Sequence, residues 1–275
     1  MTERTVWVRG DEVPVTIVEP ATGTLSGQDL LFLHGYARRP LDYRLFLEEL
    51  AERGRRVVAP FIYANNGLRH TPRHFWTCAG LTLRTCEALV AEGTLQPGAV
   101  AVGHSTGGAV TLTLGRLDPQ PRALLAFNPV QPSSRSPVEF MARSLWMNTK
   151  LFLGLAGEGR RARKMLSSTT LDFYGNWLRD PRASTELIGG LRAYDYEALA
   201  RWYEPNVPCA VPARVIYGRG DEFYPSVDGL ADGLGRLFAT FDLVVLDDQN
   251  SHEWMMIRPD RAADELDRFA EGALA

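Results

Sequence analysis

The sequence predicts an α/β protein in which a mostly parallel central sheet is flanked by helices and carries an inserted helical segment. Short apolar runs bounded by glycine or proline alternate with longer stretches of helical periodicity over residues 29–127 and again over 214–269. Between these parts, residues 131–211 show helical stretches and no apolar run typical of a buried strand. We therefore expect a core domain formed by residues 1–130 and 212–275, with residues 131–211 inserted as a helical cap.

Eight strands are predicted in chain order. Thr5–Val8 and Val13–Glu19 are each closed by a glycine or proline, and we expect them to form an opening antiparallel pair. The later strands are short apolar runs, typical of strands buried on both faces: Asp29–Leu33, Arg56–Ala59, Ala99–Val102, Ala123–Phe127, Arg214–Tyr217 and Asp242–Leu246.

Helices are predicted between these strands from the spacing of their apolar residues. They are expected at about Leu41–Arg53, Phe75–Glu92, Thr106–Arg116, Val227–Phe238 and Asp260–Phe269. In the first of them, Leu41, Leu45, Phe46 and Leu50 fall on one face. Strand and crossover helix in strict succession indicate a parallel sheet with helices on both faces.

Composition excludes several classes of function. The chain has 275 residues, with 30 Lys and Arg against 33 Asp and Glu, and this balance argues against a nucleic-acid partner, which requires a clustered basic face. Three cysteines without C-x-x-C spacing fit neither a disulfide framework nor a thiolate zinc site. The N-terminus has no apolar signal region and no apolar stretch approaches the ~20 residues of a membrane span. We expect a cytoplasmic protein without stable membrane insertion.

One pentapeptide carries the chemistry. Gly103-His104-Ser105-Thr106-Gly107 matches G-x-S-x-G and lies between a predicted strand and a predicted helix. At that place a sharp turn lifts a serine hydroxyl above the sheet edge, and glycines avoid the clashes that a Cβ would cause. The pattern predicts Ser105 as a nucleophile; the alternative is a glycine-rich turn with an idle serine.

A serine nucleophile requires a base and a carboxylate that orients the base. Asp221 lies at the carboxyl end of the strand Arg214–Tyr217, and His252 lies in the polar loop after the last strand. The order serine, acid, histidine is the order that accompanies a strand–elbow–helix nucleophile.

Other residues compete for these two roles. Two further histidines, His34 and His104, adjoin predicted turns, and two more, His70 and His74, lie before the second helix. The competing candidates for the acid position are Glu222, Asp247, Asp248 and the uncharged Asn128. Asp221 and His252 remain the best candidates.

Four motifs spread over most of the chain resemble the α/β-hydrolase family, of the capped serine esterase and lipase type. They are His34-Gly35, the G-x-S-x-G around Ser105, the Y-G-x-x-D that ends at Asp221, and the S-H-E-W of Ser251–Trp254. The resemblance implies the α/β-hydrolase fold. It implies neither a metal nor a cofactor.

The resemblance also implies roles for individual residues. Ser105 would be the nucleophile, His252 the acid and base, and Asp221 its partner. The backbone N–H groups of Tyr36 and Thr106 would form the oxyanion hole.

Two features separate this chain from some members of that family. Many members carry D-x-x-G-x-G-x-S after the fourth strand, whereas this chain has Pro60–Gly67 there, so their substrates are not carried over. Haloalkane dehalogenases and epoxide hydrolases of the family use an aspartate at the elbow. Ser105 at that position indicates acyl transfer, with hydrolysis as the default.

The expected activity is hydrolysis of small-molecule carboxylic esters with an apolar acyl group. Aromatic and methionine side chains of the cap, such as Trp146, Met147 and Trp177, either form an acyl pocket or pack against the sheet domain. The basic cluster Arg160–Lys164 either approaches an anionic group or is a solvated helix face. A thioesterase or acyltransferase would share every site residue, and a ligand-binding receptor would keep them without turnover.

Overall fold

Eight strands form one sheet in the computed structural model, which describes residues 1–21, 29–36, 38–61, 75–130, 137–155, 199, 201–203, 207–223 and 230–274. The strands are β1 (Thr2–Val8), β2 (Asp11–Val18), β3 (Leu30–Leu33), β4 (Val57–Pro60), β5 (Val100–His104), β6 (Ala123–Phe127), β7 (Ala213–Gly218) and β8 (Phe241–Leu246). Their order in the sheet is β1-β2-β4-β3-β5-β6-β7-β8. The pairs β1–β2 and β2–β4 are antiparallel and the rest are parallel. The mostly parallel sheet and all eight predicted strands are confirmed.

Seven α-helices are described: α1 (Arg44–Glu52), α2 (Phe75–Ala91), α3 (Thr106–Thr111), α4 (Pro137–Leu155), α5 (Leu230–Gly235), α6 (Trp254–Ile257) and α7 (Pro259–Leu274). Within the described residues, none is long and apolar enough to cross a membrane. The four-residue helix α6 was not predicted, because four residues show no helical periodicity.

Two of the predicted helices are shortened by 3-10 turns. The first begins with a 3-10 turn, Pro40–Tyr43, and Leu41 is consequently 41% exposed rather than on the buried face. The helix expected to reach Arg116 ends at Thr111, and a 3-10 turn follows. The Thr113 hydroxyl donates to the carbonyl of Val110 at 2.6 Å, and such bonds compete with helix propagation.

The sheet is buried on both faces, as the strand β3 shows most simply. Leu30 and Phe32 belong to the core on one face, which α1, α6 and α7 cover. Leu31 and Leu33 belong to the core on the other face, which α2, α3 and α5 cover. This alternation follows from the two-residue period of a strand.

The parallel strands place their carboxyl ends at one edge of the sheet. The loops that follow β3, β5, β6, β7 and β8 therefore meet there, as expected for a functional site in an open α/β sheet. Helix α4 lies beside this edge, where its Leu151 is buried in one core together with Trp254.

Helix α4 falls within the predicted cap. Most of the remaining residues between 156 and 206, including the basic cluster Arg160–Lys164, lie outside the described residues. The boundaries of the cap therefore stay a prediction.

Candidate active site

Ser105 lies in a strained turn between β5 and α3. Its backbone has φ +55° and ψ −122°, a conformation that costs a non-glycine residue ~1–3 kcal/mol. The Ser105 N–H donates to Phe127 O at 3.0 Å, and Ser105 O accepts from the N–H groups of Ala109 and Val130. Backbone bonds to β6 and to the loop after it thus hold the turn in place.

The glycines on both sides of Ser105 are required by close backbone approach. A Cβ on Gly107 would lie 2.2 Å from Leu33 O, and a Cβ on Gly103 would lie 2.3 Å from Gly107 O. The turn therefore packs against β3 more closely than any side chain would allow.

His252 and Asp221 form a buried acid–base pair. His252 Nδ1 lies 2.8 Å from Asp221 Oδ2, and both side chains are almost wholly excluded from water. Because a carboxylate only accepts, the neutral imidazole carries its proton on Nδ1, which leaves the Nε2 lone pair available to accept a proton. Asp221 Oδ1 accepts the backbone N–H of Phe223 at 2.7 Å, which fixes the other side of the carboxylate.

Charge around His252 favours its protonated form. Burial lowers the pKa of His252, but the attraction and hydrogen bond of Asp221, with smaller contributions from Glu253 and Glu222, outweigh burial and raise that pKa above its ordinary value. A stronger base takes a proton from a hydroxyl more readily.

The backbone of His252 is held on both sides by residues that sequence reasoning had considered for other roles. Its N–H donates to Glu222 Oε2 at 2.8 Å. Its carbonyl accepts from Asn128 Nδ2 at 3.0 Å and lies 2.9 Å from His104 Nε2. Asn128 has φ +44°, and its Oδ1 accepts the indole N–H of Trp254 at 2.9 Å. Glu222 and Asn128 therefore position His252, and neither takes the place of Asp221.

A chain of hydrogen bonds connects the loop after β3 with His104 at the end of β5. Gly35 N–H donates to the Tyr43 hydroxyl at 3.0 Å, and that hydroxyl lies 2.7 Å from His104 Nδ1. Burial lowers the pKa of His104 to about 4, so His104 is neutral at neutral pH.

Ser105 and His252 line one cavity together with Tyr36. Three apolar side chains, Val130, Met147 and Phe223, form part of its wall. Its volume is about 30 Å³, which corresponds to about two water-sized groups.

The polar wall of this cavity includes a buried ion pair that sequence reasoning missed. Arg38 Nη2 donates to Glu253 Oε1 at 3.0 Å and to Asn148 Oδ1 on α4 at 3.0 Å. Burial raises the pKa of Glu253, but the attraction and hydrogen bond of Arg38, together with the attraction of His104 and His252, outweigh burial and lower that pKa, so the carboxyl is ionised. The position of Glu253 directly after His252 was the available signal.

Helix α4 is bonded to the loops that carry Asp221 and His252. Lys150 Nζ lies 2.8 Å from Glu222 Oε1 and donates to Asn250 O at 2.6 Å. Arg143 donates to the carbonyl of Glu222. The helix that opens the predicted cap is thereby attached to the residues that hold His252.

The remaining predicted candidates lie elsewhere. Asp247 and Asp248 are exposed, and Asp247 pairs with Arg219 at the surface. His70 and His74 lie outside the described residues. The part of the chain that the structure describes contains no group of three His, Cys, Asp or Glu side chains arranged to hold a metal ion.

Thr106 and Tyr36 occupy the positions expected of the oxyanion donors. Thr106 is buried and is the first residue of α3, and Tyr36 lines the cavity beside Ser105. The neighbouring N–H of Gly35 is engaged by Tyr43. The oxyanion role of Tyr36 and Thr106 stays a prediction.

Comparison with known proteins gives a family match and structural neighbours. A model described as the alpha/beta hydrolase family matches residues 30–265. No curated protein matches the sequence.

Three of the similar solved structures have different described activities. Epoxide hydrolase I of potato (Solanum tuberosum) is 18% identical, with a TM-score of 0.68 over 98% of this chain and 99% of that chain. A putative lipase from Acinetobacter baumannii is 14% identical, with a TM-score of 0.69 over 99% of this chain and 91% of that one. The thioesterase domain from the curacin biosynthetic pathway is 15% identical, with a TM-score of 0.65 over 97% and 98%. At such identities the likeness shows the fold alone.

Proposed function

The chain belongs to the alpha/beta hydrolase family, and from that premise we propose that it is a serine hydrolase that cleaves carboxylic esters with an apolar acyl group. The family and the fold that the sequence motifs implied are thereby confirmed. The observation that carries the proposal is the 2.8 Å contact of Asp221 with His252, together with the cavity that His252 and the strained Ser105 both line.

The proposed reaction has two similar halves. Ser105 attacks the acyl carbonyl while His252 Nε2 takes the hydroxyl proton, and Asp221 stabilises the resulting imidazolium. The N–H groups of Tyr36 and Thr106 stabilise the tetrahedral oxyanion, and His252 then gives its proton to the leaving alkoxide. In the second half, water attacks the acyl-enzyme by the same steps and releases the acid.

The nature of the nucleophile supports ester rather than epoxide hydrolysis. Epoxide hydrolases are among the structural neighbours, yet the family resemblance associates their chemistry with an aspartate at the elbow. A serine there forms an acyl-enzyme with an ester or a thioester. We therefore place the chain with acyl-transferring members of the family.

The cavity supports an apolar acyl group. Val130, Met147 and Phe223 line the cavity together with Ser105, so in this proposal they contact the first carbons of the acyl chain. Each buried methylene contributes ~0.8 kcal/mol, about fourfold in kcat/KM if it is felt in the transition state. The rate is expected to rise from acetyl esters over a few carbons and to level off where the apolar wall ends.

A series of p-nitrophenyl esters from acetyl to dodecanoyl tests this preference. A steady fall in kcat/KM from acetyl onward would mean that the apolar side chains only pack. Acyl-CoA substrates measured alongside separate an esterase from a thioesterase, and tight binding without repeated turnover would indicate a receptor.

The nucleophile itself has a direct test. A fluorophosphonate probe is expected to label the wild-type protein once and to leave Ser105→Ala unlabelled. Labelling of another serine with Ser105 untouched would refute the proposed mechanism.

We further propose a cytoplasmic location, which the three free and buried cysteines, Cys78, Cys86 and Cys209, support.

A further inference from the structure

The bonds around His104 determine where its proton lies. His104 Nε2 is 2.9 Å from the carbonyl oxygen of His252, and a carbonyl only accepts. Nε2 therefore carries the proton of the neutral ring, and Nδ1 carries the lone pair. The Tyr43 hydroxyl, 2.7 Å from Nδ1, must be the donor of that bond.

The hydrogen bonds that connect these residues all run in one direction. Gly35 N–H donates to Tyr43, Tyr43 donates to His104, and His104 donates to the carbonyl of His252. Each of the four residues is buried, so water does not substitute for a lost partner without cost. The chain begins one residue before Tyr36 and ends on the backbone of the base.

We propose that His104 is a positioning residue that couples the loop carrying one oxyanion donor to the loop carrying the base. The inference rests on the proposed function, because it concerns the same nucleophile and base. His104 is the last residue of β5 and directly precedes Ser105. Its ring therefore fixes the positions of both loops relative to Ser105. Errors of ~1 Å in such positions lower rates by as much as ~100-fold.

His104 acts without transferring a proton in this scheme. Both of its ring nitrogens are already engaged, one as donor and one as acceptor. The ring centre of His104 lies 5.5 Å from that of Tyr43 and 4.9 Å from that of His252. His104 therefore lies between the two residues that it connects.

Two conservative variants break the chain at different bonds. In His104→Asn the side-chain amide oxygen lies where Nδ1 was and still accepts from Tyr43, but the donor to His252 is lost. In Tyr43→Phe the middle of the chain is removed. We expect each to lower kcat about tenfold or more with KM within about threefold, because groups move relative to the transition state while the apolar wall is unchanged.

Coupling is tested by the double variant. If the chain acts as a unit, the double variant stays within about threefold of the poorer single variant, because one broken bond already uncouples the loops. Independent, multiplying effects would overturn the proposal. Tyr203→Phe is the matched control, since its buried hydroxyl donates to Leu112 O outside the cavity wall; it is expected to lose stability and to keep kcat.

Two readouts separate positioning from damage to the fold and from proton transfer. Rates are divided by the concentration of sites that fluorophosphonate labels, so unfolded protein does not count. The acid limb of kcat/KM is expected to keep its midpoint in His104→Asn, since the Asp221 contact is untouched; a moved midpoint would overturn the positioning role. Absence of ester turnover in the wild type would instead refute the proposed function, whereas normal kcat in both variants refutes only this inference.

Discussion

Replacing Asn128 by aspartate exchanges the amide nitrogen for an oxygen and is expected to make the stability of the folded protein depend on pH. The amide of Asn128 donates to His252 O at 3.0 Å and accepts from Trp254, and the residue is fully buried. In Asn128→Asp the introduced carboxyl keeps the acceptor. It replaces the donor by an oxygen that, when ionised, faces the carbonyl oxygen of His252.

The magnitude follows from proton linkage. Burial, with a carbonyl as neighbour, raises the pKa of the introduced carboxyl well above its ordinary range. At pH below that range the carboxyl is protonated in both states, and its O–H donates to His252 as the amide does. As pH rises toward the folded-state pKa, the unfolded chain releases its proton and the folded chain does not, so stability falls by ~1.4 kcal/mol per pH unit. At neutral pH the free energy of unfolding is therefore expected to be lower than that of the wild type by about 4 kcal/mol.

Urea unfolding at pH 4, 5, 6 and 7 measures this loss as the difference from wild type. The control is Asn250→Asp, the same chemical change on an exposed side chain, whose difference from wild type is expected to vary little with pH. A difference for Asn128→Asp that stays constant from pH 4 to pH 7 would show that Asn128 does not occupy the buried, donating position described.

Further predictions concern the acid, the pH dependence and the glycines of the elbow. Asp221→Asn is expected to lower kcat by as much as ~10⁴-fold through loss of the working tautomer, whereas the surface variant Asp247→Asn keeps near wild-type kcat; the opposite result would assign the acid to the wrong loop. Because the pKa of His252 is raised above 6.5, kcat/KM is expected to fall as pH drops through that higher value; a pH series on Asp221→Asn should show the acid limb at lower pH, and an unmoved limb would contradict the pairing. Gly107→Ala places a Cβ 2.2 Å from a carbonyl oxygen of β3, whereas in the control Gly108→Ala the nearest atom to the new Cβ is 3.2 Å away. Thermal unfolding should show that Gly107→Ala is far less stable than Gly108→Ala. Equal melting temperatures would contradict the close approach of the backbones.

The sheet and the meeting of Ser105, Asp221 and His252 at one edge of it could be predicted because both depend on local patterns. A run such as Leu30–Leu33 carries its own signal of burial on both faces. Ser105, Asp221 and His252 lie in the segments that follow β5, β7 and β8, and parallel strands bring those strand ends to one edge. The place of Asp221 at the carboxyl end of the strand Arg214–Tyr217 favours it as the partner of His252, and the two side chains lie 2.8 Å apart.

The contacts that position these residues could not be predicted, because they join distant parts of the chain. Asn128 and His252 are 124 residues apart, and Arg38 and Glu253 are 215 apart. The hydrophobic periodicity of a helix or strand does not indicate which loops contact each other in the folded protein. The sequence places His104 only beside a predicted turn, whereas the structure shows it bridging two loops through both ring nitrogens.

The attachment of α4 sets a rule for building chimaeras from this scaffold. Exchanging the predicted cap for that of another member of the family would be the obvious route to a new substrate range. The helix, however, contributes Asn148 to Arg38 and Lys150 to Glu222, and Glu222 in turn holds the backbone of His252. A graft that discards Asn148 and Lys150 leaves two buried charged side chains, Arg38 and Glu222, with fewer partners beside His252. Donor segments should therefore be joined after Lys150, so that the new substrate wall is acquired without disturbing the inherited chemistry.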